Sequence, residues 1–506
     1  MESGKQTNEN NNAAQTRAIQ LPSAEQKQTR WILIVLMFLP CFVVGLTLDN
    51  DIWFLLTSGR YVLSHGIPTI EPFTLHQNFS FLMQQWLSAT IFWSIYSKLG
   101  AAGLLALLFV VYAAIVFVVY QLTRLISEDN LAATFITTLF TASALKPVMF
   151  TRPMIFTMLI LLCELYAVER FIRSGKWGYL IALPILSALQ INLHAAMWPM
   201  QFIILLPYMI DSFRFKLLFL EGQGYAKRYF FPAIGLMFLA GFCNPYGFSA
   251  MTYVFRSYGY AEINMVMEMM APDINLGSGK FIFGVFLLVL AIFLLKKERK
   301  TRLRYALLPL GTAVLALSSA RSFALFAACG IFPLAYVLRD IVIPQGKIKS
   351  PKNVLRLRAV LVALVVLVAG GLFGQRVVKF VQEGDAPAVA QAVEYLSKHE
   401  NKDNMVLYTG YNDGGYAEFL GYKPYIDPRA EVFVKKNNHQ ADVMKEYIDL
   451  QYGKLYYKDV LDRYGFTHLL ISTDDILATY LPHDAAYEKV YSDENFQIYR
   501  LKTAGE

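Results

Sequence analysis

The chain has 506 residues, of which 56% are hydrophobic and 17% charged, and its formal net charge is +8. With a mean hydropathy of +0.39, that composition excludes a soluble globule of ordinary surface and predicts a polytopic α-helical membrane protein. Nucleic-acid binding is excluded as well, because no basic patch interleaved with aromatics falls on one soluble face.

Residues 1–30 are rich in Gln, Asn, Ser and Thr and nearly lack large apolar side chains. They cannot repay the entropy of ordering, so a disordered cytoplasmic tail is expected. The apolar run at 31–48 is too long for a removed signal peptide and has no small-residue cleavage site, which makes it a signal anchor. Further spans of roughly 17 to 25 residues are expected near 103–122, 131–148, 154–171, 177–194, 197–211, 229–245, 279–295, 305–320, 322–338 and 357–375. That gives about eleven transmembrane helices, the shortest of which can also be read as re-entrant half-spans.

Lys and Arg gather in alternate loops, as cytoplasmic loops do. They include Arg17, Lys27 and Arg30, then Arg124, then Arg170, Arg173 and Lys176, then Arg214, Lys216, Lys227 and Arg228, then Lys296 to Arg304, then Arg339 to Arg358. The N-terminus is thus expected in the cytoplasm, with 49–102 and everything after 378 outside. Residues 379–506 carry 14 Lys and Arg against 21 Asp and Glu, and the rest of the chain 32 against 17. The pI near 9.0 therefore reflects topology. Cys41, Cys163, Cys243 and Cys329 all lie inside apolar runs without metal-ligand spacing, which is the pattern of buried packing residues.

Two segments break the hydrophobic pattern. In the first, 49–102, Met83, Leu87, Ile91 and Ile95 recur at helical spacing beside Trp86 and Phe92, predicting an amphipathic helix on the outer leaflet. In the second, helical windows at 386–399, 439–450 and 455–464 alternate with strand-like runs at 405–410, 467–473, 487–491 and 496–501. This predicts a C-terminal extracytoplasmic α/β domain over 379–506, large enough to own a core. The stretch Asp427-Pro428-Arg429 reads as a turn with an internal ion pair or as acceptor recognition. Tyr408, Tyr411, Tyr416 and Tyr422 can stack on sugar rings or fill a core.

Asp49 and Asp51 sit at the exit of the first apolar run. Side chains two apart point to different sides of a regular element, so the pair can share a cation only in an irregular turn. Either Asp49 or Asn50 can instead cap a helix starting at DIWFLL. Carboxylates at a membrane edge are costly unless paired, hydrated or used, and a cap residue can also be catalytic. Glu164 falls within a span, where a structural partner and a functional role are both open.

The signature continues as Asp49-x-Asp51-Ile-Trp53-Phe54, Thr57-Ser58-Gly59, Gly66-Ile-Pro68, Glu71-Pro72-Phe73-Thr74 and Gln85-Trp86-Leu87. It resembles the first external loop of bacterial GT-C superfamily membrane glycosyltransferases, the polyprenyl-phosphate-sugar-dependent kind. Arg152-Pro153, Asn192-Leu-His194, Asn244-Pro-Tyr246-Gly247, Glu268-Met-Met-Ala-Pro272, Arg321-Ser-Phe323, Gly414-Gly415-Tyr416 and Tyr425-Ile-Asp427-Pro-Arg429-Ala-Glu431 are similar to the same group and occur in order. One departure is that Phe54 and Leu55 stand where the family often has a second Trp and then His. The resemblance implies a GT-C-like transmembrane domain over 31–378 in the plasma (inner) membrane, between the tail 1–30 and the domain 379–506.

The resemblance further implies that a first-loop Asp acts as general base or helps to hold a divalent cation, Mg or Mn. Asp49 is the first choice here and Asp51 the second. Transfer from a lipid phosphate needs the acceptor hydroxyl deprotonated and the departing phosphate stabilised. Arg321 and Arg152, at the outer ends of spans, suit the phosphate, although snorkelling to headgroups also explains them. His194 and Asn192 face the same surface and can orient a sugar or phosphate, with Trp53 beside them, or can be interfacial hydrogen-bonding groups. Glu268, together with Asp49 and Asp51, offers hard oxygen ligands for the cation, with Asp273 as another loop acid.

The expected function is transfer of a sugar from a polyprenyl-phosphate donor in the bilayer to a surface glycan, lipid or protein acceptor. The alternative is a transporter or flippase, or a non-catalytic assembly subunit, for lipid-linked saccharides. A transporter should place charges near the midplane of discontinuous helices, whereas here acids and bases concentrate at the outer rim.

Overall fold

The computed structural model describes residues 24–502 apart from 46, 218–219, 258–268, 295–299, 342–351 and 385. Its longer helices are α1 (Ala24–Met37), α2 (Asp51–His65), α3 (Trp86–Ile126), α4 (Leu131–Leu145), α5 (Met154–Ser174), α6 (Ala182–Leu193), α7 (Trp198–Asp211), α8 (Lys227–Ala240), α9 (Gly277–Leu294), α10 (Leu303–Ser318), α11 (Lys352–Glu383), α12 (Ala390–His399), α13 (Gly414–Phe419), α14 (Val443–Gln451) and α15 (Tyr457–Tyr464). Among the described residues, five helical stretches are long and apolar enough to cross a bilayer: Trp86–Ile126, Leu131–Val148, Gly277–Leu294, Ala320–Val337 and Arg356–Gln382. The protein is a multi-pass helical membrane protein.

Several expectations shift in detail. The first helix begins at Ala24, so residues 24–30 are helical where a disordered tail is expected; Ala, Glu, Gln and Lys are strong helix formers, and residues 1–23 lie outside the described set. The run 31–48 is not one helix. Pro40 removes a backbone donor, and the chain leaves α1 into a 3₁₀ turn at Leu39–Val43. Within α3, Gly100 takes φ +59° and separates an outer segment from the apolar crossing that follows. The inward face of that outer segment is Ser88, Ala89 and Phe92, whereas Leu87, Ile91 and Ile95 are only half-buried. Gly59 makes this packing possible, because a Cβ there would stand 2.1 Å from the Ala89 carbonyl oxygen.

Arg304, which reads as a loop cation, is instead buried at the start of α10. Its Nε donates to Glu169 Oε1 at 2.9 Å and its Nη1 to Asp211 Oδ2 at 2.6 Å, joining α5, α7 and α10 at the end opposite α2. Nearby, β1 (Phe215–Leu217), β2 (Leu220–Gly222) and β3 (Thr301–Arg302) form a small sheet.

The chain after α11 forms a mixed sheet of β4 (Leu407–Thr409), β5 (His468–Ser472), β6 (Tyr487–Ser492) and β7 (Phe496–Leu501) in the order β4-β5-β7-β6. Strands β4 and β5 are parallel and the other pairs antiparallel, so the β4-to-β5 connection must cross over and does so through α13, α14 and α15. Phe79 of the first loop shares a core with Tyr408, Tyr425, Phe433 and Leu469. Backbone bonds add to this, with Leu75 N–H donating to the Pro424 carbonyl at 3.2 Å and Ser80 N–H to that of Asn438 at 3.1 Å. The first loop is thus packed into the C-terminal region.

Candidate active site

Asp49 lies in the turn before α2, where its Oδ1 accepts the Asp51 backbone N–H at 3.0 Å. The same oxygen accepts Arg152 Nη2 at 2.8 Å, and Arg152 Nε stands 3.4 Å from Asp51 Oδ2. The irregular turn therefore lets both acids face one cation, a guanidinium. Arg152 is positioned by the turn before α5, where Pro153 precedes the first helical residue. With side-chain exposures of 17% for Asp49, 25% for Asp51 and 20% for Arg152, all three are within reach of a solute while partly shielded from water.

A cavity of about 810 Å³ opens beside this triad. Asp51 and Arg152 line it, together with Gln84 and Gln85 before α3, His194 after α6, Asp273 before α9, Arg321 after α10, and Arg429 and Glu431 from the C-terminal region. One wall is apolar, built from Pro147, Val148, Phe150, Leu276, Phe281 and Ile282. Arg321 stands in a 3₁₀ turn at Ala320–Ser322, held by the bond from Ala320 N–H to the Met270 carbonyl. Among the described residues its side chain makes no hydrogen bond or ion pair, so its five donors are open to the cavity. His194 is buried, with Nδ1 3.0 Å from Thr157 Oγ1. Asp273 Oδ1 accepts Asn275 N–H at 2.8 Å.

Other expected residues stand elsewhere. Asp49 itself is not in the cavity wall. Trp53 is buried against Tyr416 and Phe419 of α13, with ring centroids 4.9 and 5.1 Å away. Asn192 accepts Trp86 Nε1 at 3.0 Å and donates to the Ala188 and Cys243 carbonyls, so its amide serves packing. Glu164 is buried within α5, and among the described residues neither carboxylate oxygen has a hydrogen-bond partner. Glu268 lies outside the described residues. Among the described residues no three acidic, His or Cys side chains converge as a cation site.

Glu71, Gln84 and Glu431, which do not stand out as site residues in the sequence, belong to a network beside the cavity. Gln84 donates to Glu431 Oε1 at 3.2 Å, and Tyr253 OH donates to the same oxygen at 3.0 Å. Behind them, Arg429 Nη2 donates to Glu71 Oε1 at 3.0 Å and Glu418 Oε2 at 3.3 Å, while Nε donates to Asp427 Oδ1 at 2.9 Å. Asp427 Oδ1 also takes the Arg429 N–H at 2.8 Å, the turn read from Asp427-Pro428-Arg429. Burial pushes the Glu418 carboxyl well above the usual range, against the pull of Arg429. Tyr408 lies in the core, 5.4 Å from Tyr425, and Tyr411 OH donates to the Pro428 carbonyl.

No protein-family model and no curated protein matches the chain. Solved structures do. The oligosaccharyltransferase AglB of Archaeoglobus fulgidus, in complex with an inhibitory peptide and a dolichol-phosphate, superposes with a TM-score of 0.53 at 12% identity, covering 89% of this chain and 70% of AglB. An Archaeoglobus fulgidus oligosaccharyltransferase tethered with an acceptor peptide containing the NVT sequon superposes with a TM-score of 0.53 at 12% identity, covering 94% of this chain and 74% of that one. ArnT of Cupriavidus metallidurans in the apo state gives 0.52 at 11% identity, covering 93% and 98%. The chain shares its fold with these two membrane enzymes. Within that fold the acids that follow the first apolar run and the arginines that flank α5 and α10 meet at one end of the helix bundle.

Proposed function

We propose that the protein is a membrane glycosyltransferase that moves a sugar from a polyprenyl-phosphate donor to a glycan, lipid or protein acceptor on the outer face of the plasma membrane. One observation carries this reading: a guanidinium without a partner among the described residues, Arg321, and a carboxylate, Asp51, line the same cavity beside an apolar wall. Such a cavity suits a substrate that is phosphate at one point and hydrocarbon beyond it. The fold shared with AglB and ArnT supports the same class.

Chemically, the acceptor hydroxyl attacks the anomeric carbon, its proton passes to a carboxylate, and the carbon–oxygen bond to the phosphate breaks. Asp51 is the base in this reading, since it lines the cavity, while Asp49 holds Arg152 in place. Arg321 takes the growing charge on the leaving phosphate, and His194 orients it. A divalent cation would find two hard oxygen ligands at Asp49 and Asp51, both of which must first leave Arg152, with Glu268 as the third ligand of this reading. About eleven crossings from a cytoplasmic N-terminus then place the region 379–506 outside as an α/β domain beside the site.

The test is transfer of radiolabelled sugar from a panel of polyprenyl-phosphate sugars in lipid nanodiscs, with Mg, Mn or a chelator. Asp51→Asn should lower transfer roughly 100- to 10,000-fold and Arg321→Ala about 100- to 1,000-fold. Donor binding without transfer by wild type, unchanged in both variants, would overturn the reading.

A further inference from the structure

At the end of the bundle opposite the large cavity lies a second one, of about 350 Å³, between the last turns of α3 and α5. Gln121, Arg124 and Leu125 line it from α3, and Tyr166, Arg170 and Arg173 from α5. The spacings i, i+3, i+4 and i, i+4, i+7 put each set on one helix face. Three guanidiniums thus converge on one small space, where cations merely reaching for water would splay apart.

Asp129 answers part of this charge. It lines the cavity and takes Arg124 Nε at 2.5 Å, leaving an excess of two positive charges around the space. Each arginine keeps open donors: Arg170 uses Nη2 on Tyr179 OH at 2.7 Å, and Arg173 uses Nη1 on the Leu125 carbonyl. Those bonds aim the guanidiniums, and the remaining N–H groups form a fork-like set of the kind that matches phosphate oxygens. We infer that this cavity is a binding site for a phosphate group, separate from the sugar-transfer site. Its position at helix ends, where headgroups meet protein, gives a membrane phospholipid direct access, and basic pockets between membrane helices hold such headgroups elsewhere. A soluble phosphate could supply the same chemistry.

Native mass spectrometry of the full-length protein with phosphatidylglycerol or phosphatidylcholine tests this, beside calorimetric titration with inorganic phosphate. Wild type should retain phosphatidylglycerol preferentially. Arg170→Gln/Arg173→Gln should lose roughly thirtyfold in that binding, about fivefold for each arginine at an anionic surface. Saturable inorganic phosphate binding without lipid preference, lost in the double variant, would assign the site to a soluble phosphate. Equal retention of both lipids by wild type, with no phosphate binding, would overturn the inference without any variant having to fold. Sugar transfer is not the readout, so failure here and failure of the glycosyltransferase reading are distinguishable.

Discussion

One guanidinium facing two carboxylates keeps Asp49 and Asp51 near each other at a partly wet edge, and its loss is felt twice. Arg152→Ala leaves two like charges together and frees the turn before α2, so transfer is expected to fall about 100-fold or more. Arg152→Lys keeps the charge as a point that cannot span both acids, and its loss should be smaller; equal activity of both variants with wild type in the nanodisc assay would refute the role. At Arg429 the consequence is stability. Arg429→Gln strands buried carboxylates and should cost about 3–5 kcal/mol, read as a lower denaturant midpoint of the full-length protein. Asp49, Asp51 and Arg152 are legible in sequence because acids after an apolar run and Arg-Pro before one are local signals. The partnership of Arg429 with Glu71 spans 358 positions and leaves no local trace. Trp53 and Asn192 mislead because an aromatic or amide at a membrane edge looks the same facing a cavity or a core.

Among elements, the contact of α2 with the outer part of α3 depends on a missing side chain. Gly59→Ala would drive a methyl into the Ala89 carbonyl, and the overpacked helices should separate at a cost of about 1–3 kcal/mol. An unchanged melting temperature in the purified variant would argue against that close packing. The helices themselves are readable because apolar runs and the 3.6-residue period are strong over long windows. The inward face of outer α3 is not, since apolar residues occupy both flanks and small Ser88 and Ala89 form the contact. Strands of two or three residues, as in β1–β3, carry too little pattern to register. The longer strands β5 to β7 and helices α12, α14 and α15 lie close to their predicted windows.

For the whole molecule, docking of the first loop on the C-terminal region rests partly on His76. It is buried, its Nε2 donates to the Tyr425 carbonyl at 2.8 Å, and its ring stacks on Phe79 at 4.8 Å. Burial lowers its basicity below the usual 6.5, so the folded form binds fewer protons than the unfolded one once the pH falls below that value. Its contribution is complete above about pH 6.5 and is lost as the medium acidifies. Wild type should lose more thermal stability than His76→Gln between pH 7.5 and 5.5. Taking the difference isolates His76 from Asp413, whose carboxyl burial pushes up to about 6 and whose effect runs the other way, stability falling as pH rises. Parallel melting curves for the two proteins would rule this out.

That shared core also sets an order of events during synthesis. His76 and Tyr425 are 349 positions apart, so at roughly 5–20 residues per second the ribosome needs on the order of 17–70 s to deliver the partner. Throughout that interval Leu75, Phe79 and Phe81 of the nascent loop lack the C-terminal side chains they pack against in the folded chain, so a late stretch of the chain completes an early one.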